Sequence, residues 1–512
     1  MLSRVLAACL VGIEARPVEV EVHLGKGLPG FDIVGLAESA VRESRVRVRA
    51  ALANSGFELP PRHIVLNLAP AELPKRGASF DLPIALAVLA ASGACAPNLL
   101  DETLIVGELS LTGDLRGVRG VLPLIESARQ RGLRRAIVPA QHAHEASVIA
   151  GFEVRLARNL SEVVAFLGHA ADLPSAAPRA SVDDQGALGA PDLRDVRGQE
   201  GARRALEIAA AGRHDVLFLG PPGAGKTMLA RRLPGILPPP ADEERALIAT
   251  IASAAGLEGS ASVGQRPFRA PHHSASAAAL VGGGDPVRPG EVTLAHGGVL
   301  FLDELLEFQR SAVESLRTTM ESGRAIVVRA RDRVSMPAQP LVVAAMNPCP
   351  CGHAGDSSHP CVCAPSRIEA YRARLSGPLL DRFDLHVTLP PVRISDLGLG
   401  RSGEDSATVR ARVVAARARA ERAGDVLAAG KHPNPSQLLA RDLAALRPAA
   451  RVLLDRAGES LGLSMRGFSR ALRVARTLAH LEAVDGIEAT HVAEALQYRV
   501  LDRRLSAAPL RA

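Results

Sequence analysis

Apolar positions change their spacing several times along the 512 residues, and the changes divide the chain. Within residues 1–168, alternating or continuous apolar runs at Val18–Val22, Ile64–Asn67, Leu104–Val106 and Ala136–Val138 predict strands. Apolar residues three and four apart over Ala37–Ser55, Leu82–Ser92 and Leu122–Gly132 predict helices between them. Interleaving of this kind predicts an α+β domain. From His169 to Ala190 the chain is rich in Ala, Pro, Ser and Asp without a period, which predicts a linker over 169–190. Residues 191–390 run as helix, apolar strand, glycine loop, helix and further strands each followed by a turn. That order predicts a doubly wound α/β domain. Residues 391–437 are polar and Arg-rich and predict a connector, with an exposed helix over Ala407–Arg422. Residues 438–512 carry helical periodicity only, with breaks at Pro448 and Gly486, and predict an all-α domain.

The strand predicted at Val216–Leu219 runs into Gly220-Pro221-Pro222-Gly223-Ala224-Gly225-Lys226-Thr227, and a helix is predicted from Met228. This fits G-x-x-x-x-G-K-[ST] in the strand-to-helix setting the motif requires. Backbone N–H groups of such a loop face phosphates, its glycines let the chain approach, Lys226 reaches the β/γ oxygens and Thr227 holds Mg²⁺. A second apolar run, Val299–Leu302, ends in Asp303-Glu304, about 75 residues after the loop, the usual spacing in such ATPases. Asp303 then serves Mg²⁺ through water and Glu304 polarises the attacking water. A third, Leu341–Ala345, leads to Asn347, whose amide is placed to sense the γ-phosphate. The predicted ligand is ATP with Mg²⁺.

Composition sharpens this only in places. The basic residues are almost all Arg, with Lys at 26, 75, 226 and 431 alone, so a lysine inside a motif carries unusual information. Aromatics are 3% and Trp is absent, which leaves few rings to stack on bases and directs any nucleic-acid contact to phosphates. Six Cys in this length are no disulfide scaffold; Cys349, Cys351, Cys361 and Cys363 crowd one loop, and four soft ligands suit a closed structural Zn²⁺ site. His353 and His359 are alternative ligands in the same loop. The apolar start at Met1–Ile13 resembles the opening of a signal peptide but lacks a cleavage region, and Leu82–Ala91 is about half of the ~20 residues a membrane span needs. The reading is a cytoplasmic protein without a membrane segment.

Taken in order, Gly220–Thr227, Asp303-Glu304, Asn347 and Leu379-Leu-Asp-Arg-Phe-Asp384 resemble the AAA+ ATPases of the magnesium-chelatase-like group. Phe268-Arg-Ala-Pro-His-His273, Ala295–Glu304 and Asn347-Pro-Cys-Pro-Cys-Gly352 narrow the resemblance to the ComM (YifB) family, whose layout residues 7–505 follow nearly throughout. Leu306 stands where that family has Pro, away from the chemistry. The resemblance implies a homo-oligomeric ring, a hexamer, with ATP at subunit interfaces. It implies Arg382 as the finger reaching a neighbour's γ-phosphate and Arg466 as the lid arginine, with Arg470 as its rival. It also implies DNA as partner, through branch migration or strand movement in natural transformation.

Pro74-Lys-Arg-Gly-Ala-Ser79-Phe-Asp-Leu-Pro83 and Gly107-Glu-Leu-Ser-Leu-Thr-Gly113 resemble the proteolytic domain of Lon, with Ser79 at the nucleophile position. A Ser–Lys dyad needs a lysine of lowered pKa, but that family's lysine position falls on Leu122 and Lys75 lies on the wrong side of the motif. The domain is therefore expected to keep the shape without the protease. Gly323–Arg333 predicts a hairpin with Arg324, Arg329, Arg331 and Arg333, which either follows a phosphate backbone or is a solvated ribbon. Arg410–Arg422 predicts a solvent-facing helix, and His272 and His273, unable to share one helical face, predict a flexible loop. Two readings from other classes stay open: a chelatase ATPase subunit remodelling a protein partner, and a non-catalytic ATP-binding scaffold.

Overall fold

In the computed structural model residues 2–176, 191–257, 265–329, 333–356, 359–391, 403–425, 435–499 and 501 are described. The amino-terminal sheet has seven strands, in the order Gly30–Val34, His63–Ala69, Glu14–Gly25, Leu2–Val11, Thr103–Ile105, Arg135–Pro139, Glu153–Ala157. Its centre is the antiparallel hairpin of Leu2–Val11 with Glu14–Gly25, paired from Leu2↔His23 to Val11↔Glu14. The apolar start is thus a central strand: its inward residues Val5, Ala7 and Cys9 are buried beside Val18, Val20 and Val22. The helix Asp81–Ser92 has almost no polar face because it is packed all round, and it stops at Gly93, whose φ of 82° favours glycine.

Two predicted features are corrected here. The segment expected as a linker from His169 stays on the domain as far as Ala176: Leu173 is buried in the core, and residues 174 and 176 bond to Leu156 and Val154. Positions 177–190 lie outside the described residues. The Arg-rich helix, Ser406–Arg422, is not an exposed rod. Val409, Val413, Ala416 and Ala420 are buried against the helix Glu200–Gly212 and the carboxy-terminal helices. Three of its arginines lie along the packed surface and end on partners in other elements: Arg412 on Glu207 (2.6 Å), Arg417 on the Ala210 carbonyl and Arg419 on the His480 carbonyl (2.8 Å).

The central sheet is wholly parallel, in the order Phe268–Arg269, Val299–Leu302, Leu341–Met346, Val216–Leu219, Leu385–Thr388. Val216–Leu219 and Val299–Leu302 are buried at every position, as strands covered on both faces must be. The carboxy-terminal part is helical: Pro435–Ala444, Pro448–Leu461, Met465–Leu481 and Ala489–Gln497. Pro448 starts a helix in its first turn, where a missing N–H costs nothing. The amino-terminal and central parts are joined by contact. Ile13, in the first hairpin turn, belongs to the central core, Gly12 sits against Val334, and Ser253 accepts the Gly120 N–H on its carbonyl at 3.1 Å.

Candidate nucleotide-binding site

Register alone gathers the site. Leu219 pairs with Met346 and Leu302 with Ala344, so Gly220, Asp303 and Asn347 leave neighbouring strands at the same carboxyl edge. In open parallel sheets this edge, where the strand order reverses, is where ligands bind. The loop turns there on Gly223 and Gly225 at φ 79° and 87°, a region side chains avoid.

Lys226 heads the short helix Lys226–Ala230, and its Nζ donates to the Gly220 carbonyl (2.6 Å), the Pro221 carbonyl (3.1 Å) and Asn347 Oδ1 (2.8 Å). Burial lowers its pKa, while Asp303 and Glu304 work to hold the charge. Thr227 Oγ1 donates to Asp303 Oδ2 at 2.8 Å. A hydroxyl and a carboxylate side by side are the hard oxygen donors Mg²⁺ takes. The backbone at Glu304 is left-handed (φ 52°), and its N–H donates to Asp303 Oδ1 at 3.0 Å, which turns the two acidic side chains to different tasks. Of the predicted loop residues, Pro222 and Ala224 contribute shape: Ala224 is buried, and Pro222 packs against the Cys-rich loop.

One residue that sequence reasoning missed joins this group. His273 Nδ1 lies 3.2 Å from Glu304 Oε2, and the His272 ring stands 4.1 Å from that of His273. The two histidines sit just beyond the strand Phe268–Arg269, which pairs beside Val299–Leu302, so the sheet brings them to the acidic pair across 30 residues of sequence. They lie in a turn, as a loop was expected there, and the turn sits at the acidic pair.

The two arginines are placed elsewhere. Arg382 forms an ion pair with Glu321 of the helix Arg310–Ser322, and its carbonyl accepts from Arg470. Arg470 also bonds Asp384, a buried carboxylate that burial would raise but that Arg473, Arg470 and His214 hold well below its ordinary range. Arg470 is therefore engaged structurally, whereas Arg466 is exposed in the first turn of Met465–Leu481. Among the described residues no hydrogen bond or ion pair joins Arg382 or Arg466 to Lys226, Asp303 or Glu304.

The cysteines converge as expected. Cys349, Cys351 and Cys361 have sulfurs 3.3–3.7 Å apart, and all four sulfurs, Cys363 included, lie within 4.8 Å of one another. Tetrahedral Zn–S bonds of about 2.3 Å require S···S edges of about 3.8 Å, so the set fits Zn²⁺. Backbone N–H groups of His353 and Val362 lower the Cys351 thiol to about 6. The alternative ligands His353 and His359 do not enter this set; both turn to Asp356. Gly352 lies so close to Pro222 that a Cβ would come within 2.6 Å of its ring, so the Cys-rich loop rests on the phosphate loop.

Ser79 has no such company. Lys75 is wholly buried and its ammonium donates to the Pro70 carbonyl; among the described residues no hydrogen bond joins it to Ser79. The hairpin forms as expected, pairing Arg324↔Pro337 to Val328↔Arg333, with Arg331 outside the described residues. Its inward face, Val334 and Met336, is covered by Gly12 and Ile13, and its outward face mixes Arg324 with exposed Ile326 and Val328.

Comparison with known proteins covers nearly the whole chain. Residues 192–397 match the family described as magnesium chelatase, subunit ChlI; residues 20–142 match subunit ChlI of Mg-chelatase; residues 403–499 match the carboxy-terminal part of the same subunit. Competence protein ComM of Haemophilus influenzae is 45% identical over 509 residues, covering 98% of each chain. The YifB proteins of Salmonella typhimurium and Escherichia coli are 46% and 45% identical over 503 and 509 residues. They cover 97% and 98% of this chain and 96% and 98% of their own. No helix among the described residues is long and apolar enough to cross a membrane.

Proposed function

The chain belongs to the magnesium-chelatase-like AAA+ ATPases of the ComM (YifB) family, and from that premise we propose that it is an ATP-hydrolysing ring motor, a hexamer, that acts on DNA during natural transformation and recombination. One observation carries the reading: Lys226, Thr227, Asp303, Glu304 and Asn347 meet at one edge of the parallel sheet. Lys226 exchanges its carbonyl partners for β/γ-phosphate oxygens, and Asn347, already bonded to it, stays beside the terminal phosphate. Thr227 and Asp303 hold Mg²⁺ on the phosphates. Glu304 takes the proton of the attacking water, and His273 keeps its carboxylate aimed there. Arg382, released from Glu321 when subunits meet, reaches the neighbour's γ-phosphate, and the exposed Arg466 acts as the lid arginine.

Cys349, Cys351, Cys361 and Cys363 would hold Zn²⁺ with four thiolates, a closed structural set that would take no part in catalysis. Its role is to brace the loop that carries Asn347 on one side and touches Pro222 on the other. The amino-terminal domain is a Lon-like form without a dyad. Its contact with the hairpin of Arg324–Val328 and Arg333–Pro337 through Gly12 and Ile13 passes ATP-driven movement between the two parts.

DNA is the proposed substrate because the hairpin tip carries Arg329 and Arg333 at exposed positions, suited to phosphates with little base preference. The test is ATP hydrolysis with and without a four-way junction, over a salt series. Stimulation that falls steeply with salt supports it. A rate indifferent to DNA favours the chelatase-type reading, in which a protein partner is remodelled.

A further inference from the structure

Beside the cysteine set stands a second group of convergent donors. His353 Nδ1 and His359 Nδ1 lie 3.3 and 3.4 Å from the same atom, Asp356 Oδ2. The three donor atoms fall within 4.8 Å of one another, and the two rings are 5.1 Å apart at 36°. The Asp356 side chain is 3% exposed, while His359 stands at 69%. The spacing is His-x-x-Asp-x-x-His, and a turn sets its first half: Asp356 N–H donates to the His353 carbonyl at 3.1 Å.

The distances fit a shared metal ion as well as a long hydrogen bond. Charge-assisted N–H···O contacts close to about 2.7–2.9 Å. Two donors bound to one tetrahedral ion at about 2.0–2.1 Å stand about 3.3–3.4 Å apart, the observed spacing. We propose that His353, Asp356 and His359 form a second metal site, distinct from the four-cysteine set, for a borderline divalent cation of the zinc and cobalt kind. Two imidazoles among three donors select against Mg²⁺ and Ca²⁺, which take oxygen. Three protein donors with an exposed side leave a fourth position for water or a partner's ligand, the arrangement of an exchangeable or reactive site rather than a buried brace.

The experiment counts zinc. The full-length protein is stripped under reducing conditions, reloaded with excess Zn²⁺, desalted and measured by mass spectrometry of the metal, with folding checked by circular dichroism. Two zinc ions per chain are expected, and one in the His353→Ala/His359→Ala variant. Because that variant leaves every cysteine in place, the loss of one ion is expected whatever the thiols hold. If the thiol site is empty, the counts become one and none. A count the histidine variant leaves unchanged overturns the proposal. Asp356→Asn, a milder change, is expected to weaken retention of the same ion on dilution; retention equal to wild type counts against it.

Discussion

The molecule contains two buried lysines with opposite fates. Lys75 and Lys226 are both 9% exposed or less, both donate to backbone carbonyls, and burial lowers the pKa of both. Their surroundings differ. Lys226 has Asn347 on its ammonium and Asp303 and Glu304 close enough to offset its burial. Lys75 has the Pro70 carbonyl, with Cys9 and Glu72 as minor electrostatic neighbours. Burial and a perturbed pKa therefore do not mark a reacting group. What sets Lys226 apart is the convergence of a hydroxyl, two carboxylates and an amide at one strand edge.

Exchanging these lysines gives the largest expected contrast. Lys226→Ala is expected to abolish ATP hydrolysis, and Lys75→Met to leave it within about twofold, since the latter lies outside the site. A steady-state ATPase assay on both variants checks this, and equal losses would erase the distinction. Next in size is Arg382→Ala. As a finger supplied to a neighbour, it is expected to cost about 10³-fold in kcat with nucleotide affinity retained, which fluorescent-nucleotide titration beside the assay separates. His273→Ala is expected to cost about tenfold in kcat with KM unchanged, the size of an orientation effect on Glu304. A rate equal to wild type would make the 3.2 Å contact incidental.

The smallest effect is one of stability. A lysine whose folded pKa is lowered binds fewer protons folded than unfolded, so its penalty is full at neutral pH and shrinks as pH rises toward the ordinary lysine value. Lys75→Met removes that penalty. Its gain in Tm over wild type is expected at pH 7 and should diminish toward pH 10, with the Lys226 contribution common to both proteins. A gain that grows with pH would reverse the sign assigned to burial.

What the sequence made legible follows from locality. The phosphate loop is eight contiguous residues, and the acidic pair and Asn347 each end an apolar run, so pattern and spacing sufficed. His273 was not legible, because its nearness to Glu304 depends on Phe268–Arg269 pairing beside Val299–Leu302. Asp356 had a signal, the His-x-x-Asp-x-x-His spacing, which the cysteines on either side overshadowed. The buried face of Ser406–Arg422 was hidden because arginine counts as polar wherever its stem lies. The first strand was hidden because an apolar amino-terminal run has the same composition in a leader and in a sheet centre.

The most direct test of the account is MgATP hydrolysis by the purified, assembled protein beside its Glu304→Gln variant. Wild type should turn over, while the variant should bind ATP and hold it uncleaved, at least about 100-fold slower. Equal turnover by the two proteins, or no binding of MgATP by either, would contradict it.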